Sequence, residues 1–96
     1  MDEEFSTTFA MDFSIADRFG ISAIKDTFRR AFAEWKSDYK YLTDLVMVLN
    51  HKCWQHYEEG REAISKVYCE LYEKANDYAL SNLKGKELSY FFEVTD

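Results

Sequence analysis

YKYLTDLVMVLNHKCWQHYEEGREAISKVYCELYEKANDYALSNL, residues 39–83, is one long helical signal broken once, at Gly60. Before the break, Leu42, Leu45, Val46, Leu49, Cys53 and Tyr57 recur at helical spacing. After it, Ile64, Val67, Tyr68, Leu71, Ala75, Tyr78 and Ala79 do the same. Apolar residues three and four apart line one face of a helix. A glycine just past the last periodic position offers the left-handed backbone that ends one. The stretch therefore predicts two amphipathic helices folded into a hairpin. Glu62–Lys66 and Glu70–Lys74 add ion pairs in the favourable orientation, each worth about 0.2–0.5 kcal/mol.

Working outward, Asp38 is placed to cap the first of these helices. Upstream, Ser22 is placed to cap another, whose apolar stripe is Ile24, Phe28, Ala31, Phe32 and Trp35, ending near Ser37. Ser14 suits the cap of a short helix, Ile15 to Phe19, closed by Gly20. Residues 1–13 read two ways. Phe5, Phe9 and Phe13 are four apart, which suits a helix. Phe5, Thr7, Phe9, Met11 and Phe13 also alternate, which suits a strand. In either form they read as an aromatic arm docked on the body. Downstream, Gly85 stops the last long helix, and Glu87 to Phe92 add a final turn.

The expected fold is an all-α compact bundle forming a single domain, 1–96. Three main helices, about 22–37, 39–59 and 61–83, carry short helical or extended termini packed on the central helix. Leu45 to Leu49 is apolar at five successive positions, and a turn apolar all round is buried on more than one side. Met47, Val48 and Trp54 point off the main stripe. They need cover from the Phe5/Phe9/Phe13 arm, from Tyr90-Phe91-Phe92, or from a second subunit; cover within the chain is the simpler arrangement. The chain is thus expected to be a monomer or a homodimer, with the Leu42–Tyr57 helix its most buried element.

Composition supports a small, well-filled core. Aromatics make up 18% of the 96 residues, and there is no proline. Large rings raise the apolar area buried per residue, and a proline-free chain carries long helices without enforced breaks. The net charge of −6 argues against general nucleic-acid binding, which needs cationic excess. That charge is uneven: residues 1–17 hold five acids and no base, 18–57 hold seven bases and four acids, and 58–77 hold six acids and three bases. Met1-Asp2-Glu3-Glu4 lacks the basic and apolar regions of a secretory signal. The apolar run at 45–49 is far too short to span a bilayer, so no membrane partner is expected. Two cysteines on long helices do not resemble a disulfide-stapled scaffold; Cys53 and Cys69 are expected as free thiols in a reducing cytoplasm.

Few residues suggest chemistry. His51, Cys53, His56 and Cys69 have the atoms of a zinc site. Helical phase sends His51 and Cys53 to opposite sides, and Cys69 off its core face, so no metal is expected. There is no phosphate loop, nucleophile elbow or acid–base pair, so neither an enzyme nor a cofactor is expected. Charge patterning leaves two candidate faces. Glu58, Glu59, Glu62, Glu70, Glu73 and Asp77 form an acidic face suited to a partner protein with a basic surface. Lys25, Arg29, Arg30 and Lys36 form the alternative, a basic face able to meet nucleic acid.

Ala16, Gly20, Ile21 and Ser22 resemble the first half of a bacterial helix-turn-helix, which would present Lys25, Arg29 and Arg30 of residues 14–31 to DNA. The second half departs from that pattern. Asp26 stands where an aliphatic residue should pack the reading helix, and the apolar stripe falls on Ile24, Phe28 and Ala31.

A broader resemblance rests on three strings: DFSIADRFGISAIKDTFRRAF (12–32), EWKSDYKYLTDLVMVLNHKCW (34–54) and LKGKELSYFFEVTD (83–96). From Phe13 to Asp96 the chain resembles a group of short acidic proteins carried by phages and mobile elements of gut bacteria. The resemblance brings no activity and no site residues. It implies the cytoplasm of a bacterial host. A self-contained helical body, an acidic surface and no active-site constellation, in that setting, lead to the expectation of a non-enzymatic protein that binds and modulates or inhibits a host protein system, of the anti-defence or anti-CRISPR type. The alternative is a transcriptional regulator using residues 14–31.

Overall fold

The computed structural model describes the backbone of residues 2–95 and the side chains of residues 9–95. Among these residues there are five α-helices and no strand: α1 (Asp2–Phe19), α2 (Ile21–Trp35), α3 (Tyr39–Glu58), α4 (Glu62–Asn82) and α5 (Lys86–Thr95). The all-α class and the helical hairpin hold, but the count of three main helices needs correction. The expected arm, the Ser14 cap and the short Ile15–Phe19 helix are all parts of one 18-residue helix, α1. Phe9, Phe13 and Ala16, spaced as a helix face, are buried in the core. Burial of that face decides for the helical period over the alternating one. The expected docking of the Phe5 ring lies outside the described residues. At the other end, the expected last turn is the ten-residue α5, which buries Phe91.

Helix α3 is the hub, packed against by α1, α2, α4 and α5. Ten of its twenty residues are buried, as its all-round apolar turn requires. Val48 is covered, whereas Met47 and Trp54 keep substantial exposure. Past Leu49 the buried face departs from the expected stripe. Lys52, Cys53 and His56 are buried there, and Tyr57 is exposed. The departure has a cause in α1, whose Asp17 supplies a counter-charge at that level. Polar side chains therefore occupy positions that periodicity assigns to hydrophobes.

The breaks follow local chemistry. Asp38 caps α3, its Oδ1 accepting from the backbone N–H of Lys40 (3.1 Å) and Tyr41 (3.3 Å). Trp35 stacks on Tyr41 at 4.0 Å, closing the α2–α3 turn. Ser22 is not a cap, because α2 begins at Ile21 with Gly20 at its N-cap and no side-chain cap bond. Gly60, at φ 81°, ends α3 with two backbone bonds: its own N–H to Tyr57 O (3.1 Å) and Arg61 N–H to His56 O (2.9 Å). That pair satisfies carbonyls left open by the helix end. A Cβ added at Gly60 meets nothing within 4 Å, so Gly60→Ala acts through the backbone alone. It is expected to lower the unfolding free energy by about 1–2 kcal/mol, read from urea denaturation.

The α3–α4 crossing overturns the expectation of free thiols. Cys53 and Cys69 form a disulfide, with Cα atoms 5.2 Å apart. Ser65 and Cys69, four apart on α4, are both small. The Ser65 hydroxyl donates to the Cys53 carbonyl (2.8 Å). Small residues on α4 let the helices approach closely enough for Cys69 to reach Cys53, although Cys69 lies off the apolar stripe. The thiol argument for a reducing compartment falls with this pairing. No helix of the described residues is long and apolar enough to cross a membrane.

Candidate functional site

Helix α2 stands between two grooves, and the charged residues singled out in the sequence divide between them. One groove, of about 720 Å³, runs between α2 and α4. Its floor is Phe28, Phe32 and Leu71. Lys25, Arg29 and Lys36 form one bank; Glu70, Glu73 and Asp77, with Lys74, form the other. The basic face and half of the acidic face are thus two sides of one feature. Lys36 Nζ lies 5.7 Å from the Phe32 ring and 5.8 Å from the Tyr78 ring, within cation–π range. Glu58, Glu59 and Glu62 sit apart, around the α3–α4 turn, where Glu59 pairs with Arg61. Lys25, Arg29 and Lys36 face carboxylates, and Arg29 is also tied to Asp26 at 2.8 Å. A row of cations opposed by acids presents a weak field to phosphate.

The second groove, of about 500 Å³, lies between α1 and α2 and receives Arg30. Ala16, Ala23, Thr27 and Ala31 line it, and these small residues leave space that larger ones would fill. Along its α1 side, Ile15 and Phe19 are 50% and 76% exposed, and Met11 continues the row at 58%. Three large apolar side chains at i, i+4 and i+8 share a helix face, opposite in purpose to the buried Phe9–Phe13 face. A contiguous exposed apolar row beside a groove is the surface feature that marks interaction sites, whereas scattered exposed hydrophobes are ordinary. The rim carries Asp12, Asp26 and Glu34 against Arg30, an acidic surround.

A part-buried polar cluster ties α1, α3 and α4 together. Asp17 is its centre. Lys52 Nζ donates to Asp17 Oδ2 (2.9 Å) and to Ser14 Oγ (3.0 Å). Arg61 Nε donates to His56 Nδ1 (2.9 Å), so Nδ1 carries no hydrogen. His56 Nε2 therefore holds the hydrogen that bonds Asp17 Oδ2 at 3.1 Å. Tyr68 donates to Asp17 Oδ1 at 2.5 Å, and its ring lies parallel to His56 at 5.3 Å. The Lys52 and His56 side chains are 7% and 4% exposed. Both ring nitrogens of His56 are occupied and Ser14 accepts from an ammonium, so neither is poised for proton abstraction.

Burial pushes the Tyr68 phenol well above its ordinary 10.0, and the hydrogen bond and then the charge of Asp17 add to the shift. The folded chain then holds a proton that the unfolded chain gives up at high pH. This contribution to stability is complete below pH about 10 and is lost as pH rises through the folded value. Tyr68→Phe is expected to remove about one proton's worth of the alkaline decline, measured by denaturation at stepped pH. An unchanged alkaline slope would show the phenol to be solvated.

The remaining candidates are not brought together. His51 is exposed, His56 is engaged as above, and the cysteines are bonded to each other. Among the described residues no group of three or more His, Cys, Asp or Glu is placed to hold a metal ion. Sequence reasoning passed over the Asp17 cluster and the Met11/Ile15/Phe19 row. Each had a signal: Lys52 follows Leu49 by three and precedes Cys53, a core position that demands a counter-charge. Residues 9–19 carry two apolar helical rows instead of one. Comparison with known protein families, curated protein sequences and solved structures returns no match for this chain.

Proposed function

We propose that this chain is a non-enzymatic interaction protein of a phage or mobile element, binding a protein of its bacterial host and modulating or inhibiting the system that protein serves. The carrying observation is the exposed Met11/Ile15/Phe19 row beside the α1–α2 groove. A contiguous row of exposed large apolar groups marks a surface that a partner covers, and such anchors supply most of the energy of an interface. The surrounding Asp12, Asp26 and Glu34 favour a partner segment with apolar anchors and basic flanks. Glu70, Glu73 and Asp77 face Lys25, Arg29 and Lys36 across the other groove, so any steering they give a basic partner is weakened by the same opposition. The DNA-binding alternative ranks lower. Its cations are opposed by acids or tied to them, and Gly20 alone joins α1 to α2 where the DNA-binding motif uses a three- to four-residue turn.

The test is affinity capture from host lysate with the wild-type chain and with the Ile15→Ser/Phe19→Ser variant, read by mass spectrometry. Both positions are exposed, so stability should change by no more than about 0.5 kcal/mol per site. A host protein held by the wild type and lost from the variant is the expected result. In that complex, charge reversal of Glu70, Glu73 and Asp77 should slow association more than it speeds dissociation. A partner held equally by both chains would refute the row as anchor, and sequence-selective DNA binding without a protein partner would reverse the ranking.

A further inference from the structure

An open pocket of about 410 Å³ lies over the polar cluster centred on Asp17. Arg18, Lys52 and Arg61 border it together with Ser14 and Gln55, and Asp17 is the only acid among its lining residues. With Lys52 paired to Asp17 and Arg61 to Glu59, Arg18 is the unpaired cation that leaves this spot of a −6 chain locally positive. The geometry points to a binding site for a phosphate-class oxyanion in this pocket.

The Asp17 charge is directed inward. Both its oxygens are occupied, Oδ2 by Lys52 and His56 and Oδ1 by Tyr68. The repulsion it offers an incoming anion is correspondingly damped. Two of the donors around the pocket, Lys52 and Arg61, are held in place and only partly used. Lys52 spends two of its three ammonium hydrogens on Asp17 and Ser14, and the hydroxyl hydrogen of Ser14 is available because its oxygen is the acceptor there. Arg61 is oriented by Nε on His56 Nδ1 and by Nη2 on Glu59, which leaves Nη1 hydrogens free for a ligand. The Arg18 side chain makes no ion pair or hydrogen bond among the described residues.

These donors come from different directions: Ser14 and Arg18 from α1, Lys52 and Gln55 from α3, and Arg61 from the turn before α4. A convergent set suits a tetrahedral oxyanion with acceptors on every side, whereas a carboxylate is met best by one planar fork. Lys52 adds its third ammonium hydrogen from a fixed position, while most of its charge is answered by Asp17 at 2.9 Å.

The test is a titration of the full chain with inorganic phosphate at constant ionic strength and neutral pH, followed by amide chemical shifts. Saturable shifts are expected at residues 14–18, 52–56 and 61. Arg18→Gln removes a side chain with no structural partner, and should weaken phosphate binding roughly tenfold, the effect of one charge-assisted hydrogen bond. Arg61→Gln should weaken it at least as much; if that variant fails to fold, Arg18→Gln decides alone. Acetate at the same ionic strength should bind more weakly than phosphate. Shifts that rise linearly without saturation, shifts scattered over the surface, or an affinity unchanged in Arg18→Gln would overturn the site. An equal response to acetate would overturn its phosphate class.

Discussion

Replacing Asp17 with alanine is expected to lower the unfolding free energy by about 3–5 kcal/mol, the cost of leaving a buried charge without its partner. Three donors lose their acceptor at once: Lys52, His56 and Tyr68. Tyr68 retains only the Phe13 carbonyl at 3.4 Å, and the Lys52 ammonium retains only Ser14. Small domains have about 5–15 kcal/mol in all, so Asp17→Ala should stand near the edge of folding. The ion pair itself need not be stabilising. Removing both charges in Asp17→Leu/Lys52→Met should recover the part of the loss owed to the unpaired ammonium, while His56 and Tyr68 still lack their acceptor. Urea denaturation followed by circular dichroism gives both values. A loss below about 1 kcal/mol for Asp17→Ala would show that water solvates the cluster.

Removing the Cys53–Cys69 bridge is expected to cost about 3 kcal/mol, the chain-entropy value for a loop of about 15 residues. The two residues are 16 apart in sequence. Cys53→Ser/Cys69→Ser and the reduced wild-type chain should unfold at similarly lowered urea concentrations. The bridge joins the helices of the hairpin on which the rest of the domain packs, so its loss should be felt globally rather than as a local opening. Intact-mass measurement of the purified chain should show it two hydrogens lighter than its reduced form. Equal stability with and without the bridge would mean that the α3–α4 packing is already fixed by Val67, Tyr68, Ala75 and their neighbours.

Much of the fold was legible from residues alone. The hairpin of α3 and α4 follows from apolar spacing on either side of Gly60. Asp38 announced its cap, and five apolar residues from Leu45 announced the hub. Helix α1 was less legible, because Phe5, Phe9 and Phe13 fit two periods. The described structure resolves the choice by burying Phe9, Phe13 and Ala16 on one helix face. The Asp17 cluster escaped because its members are far apart in sequence and local patterning carries no distance between elements. The disulfide escaped for a similar reason: helical phase describes each helix singly, whereas the close approach at Ser65 and Cys69 belongs to the pair. Of the residues charge patterning named, Lys25, Arg29, Lys36, Glu70, Glu73 and Asp77 line the α2–α4 groove, as two banks of one feature and not as rival faces, while Arg30, Glu58, Glu59 and Glu62 lie elsewhere. The apolar row on α1 was hidden in plain composition, since Met11, Ile15 and Phe19 count as core residues until the fold leaves them outside.

The proposal that this chain works by docking a protein on α1 is tested most directly by side-chain oxidation footprinting of the captured complex. Hydroxyl radicals modify exposed Met, Phe, Trp and Tyr, and Met11, Phe19, Trp54, Tyr57 and Phe92 are all exposed in the free chain. Binding at the α1–α2 groove predicts that Met11 and Phe19 become protected, while Trp54, Tyr57 and Phe92 react as before. Unchanged oxidation of Met11 and Phe19, with protection moved to Trp54 and Tyr57, would contradict the account and transfer the interface to α3.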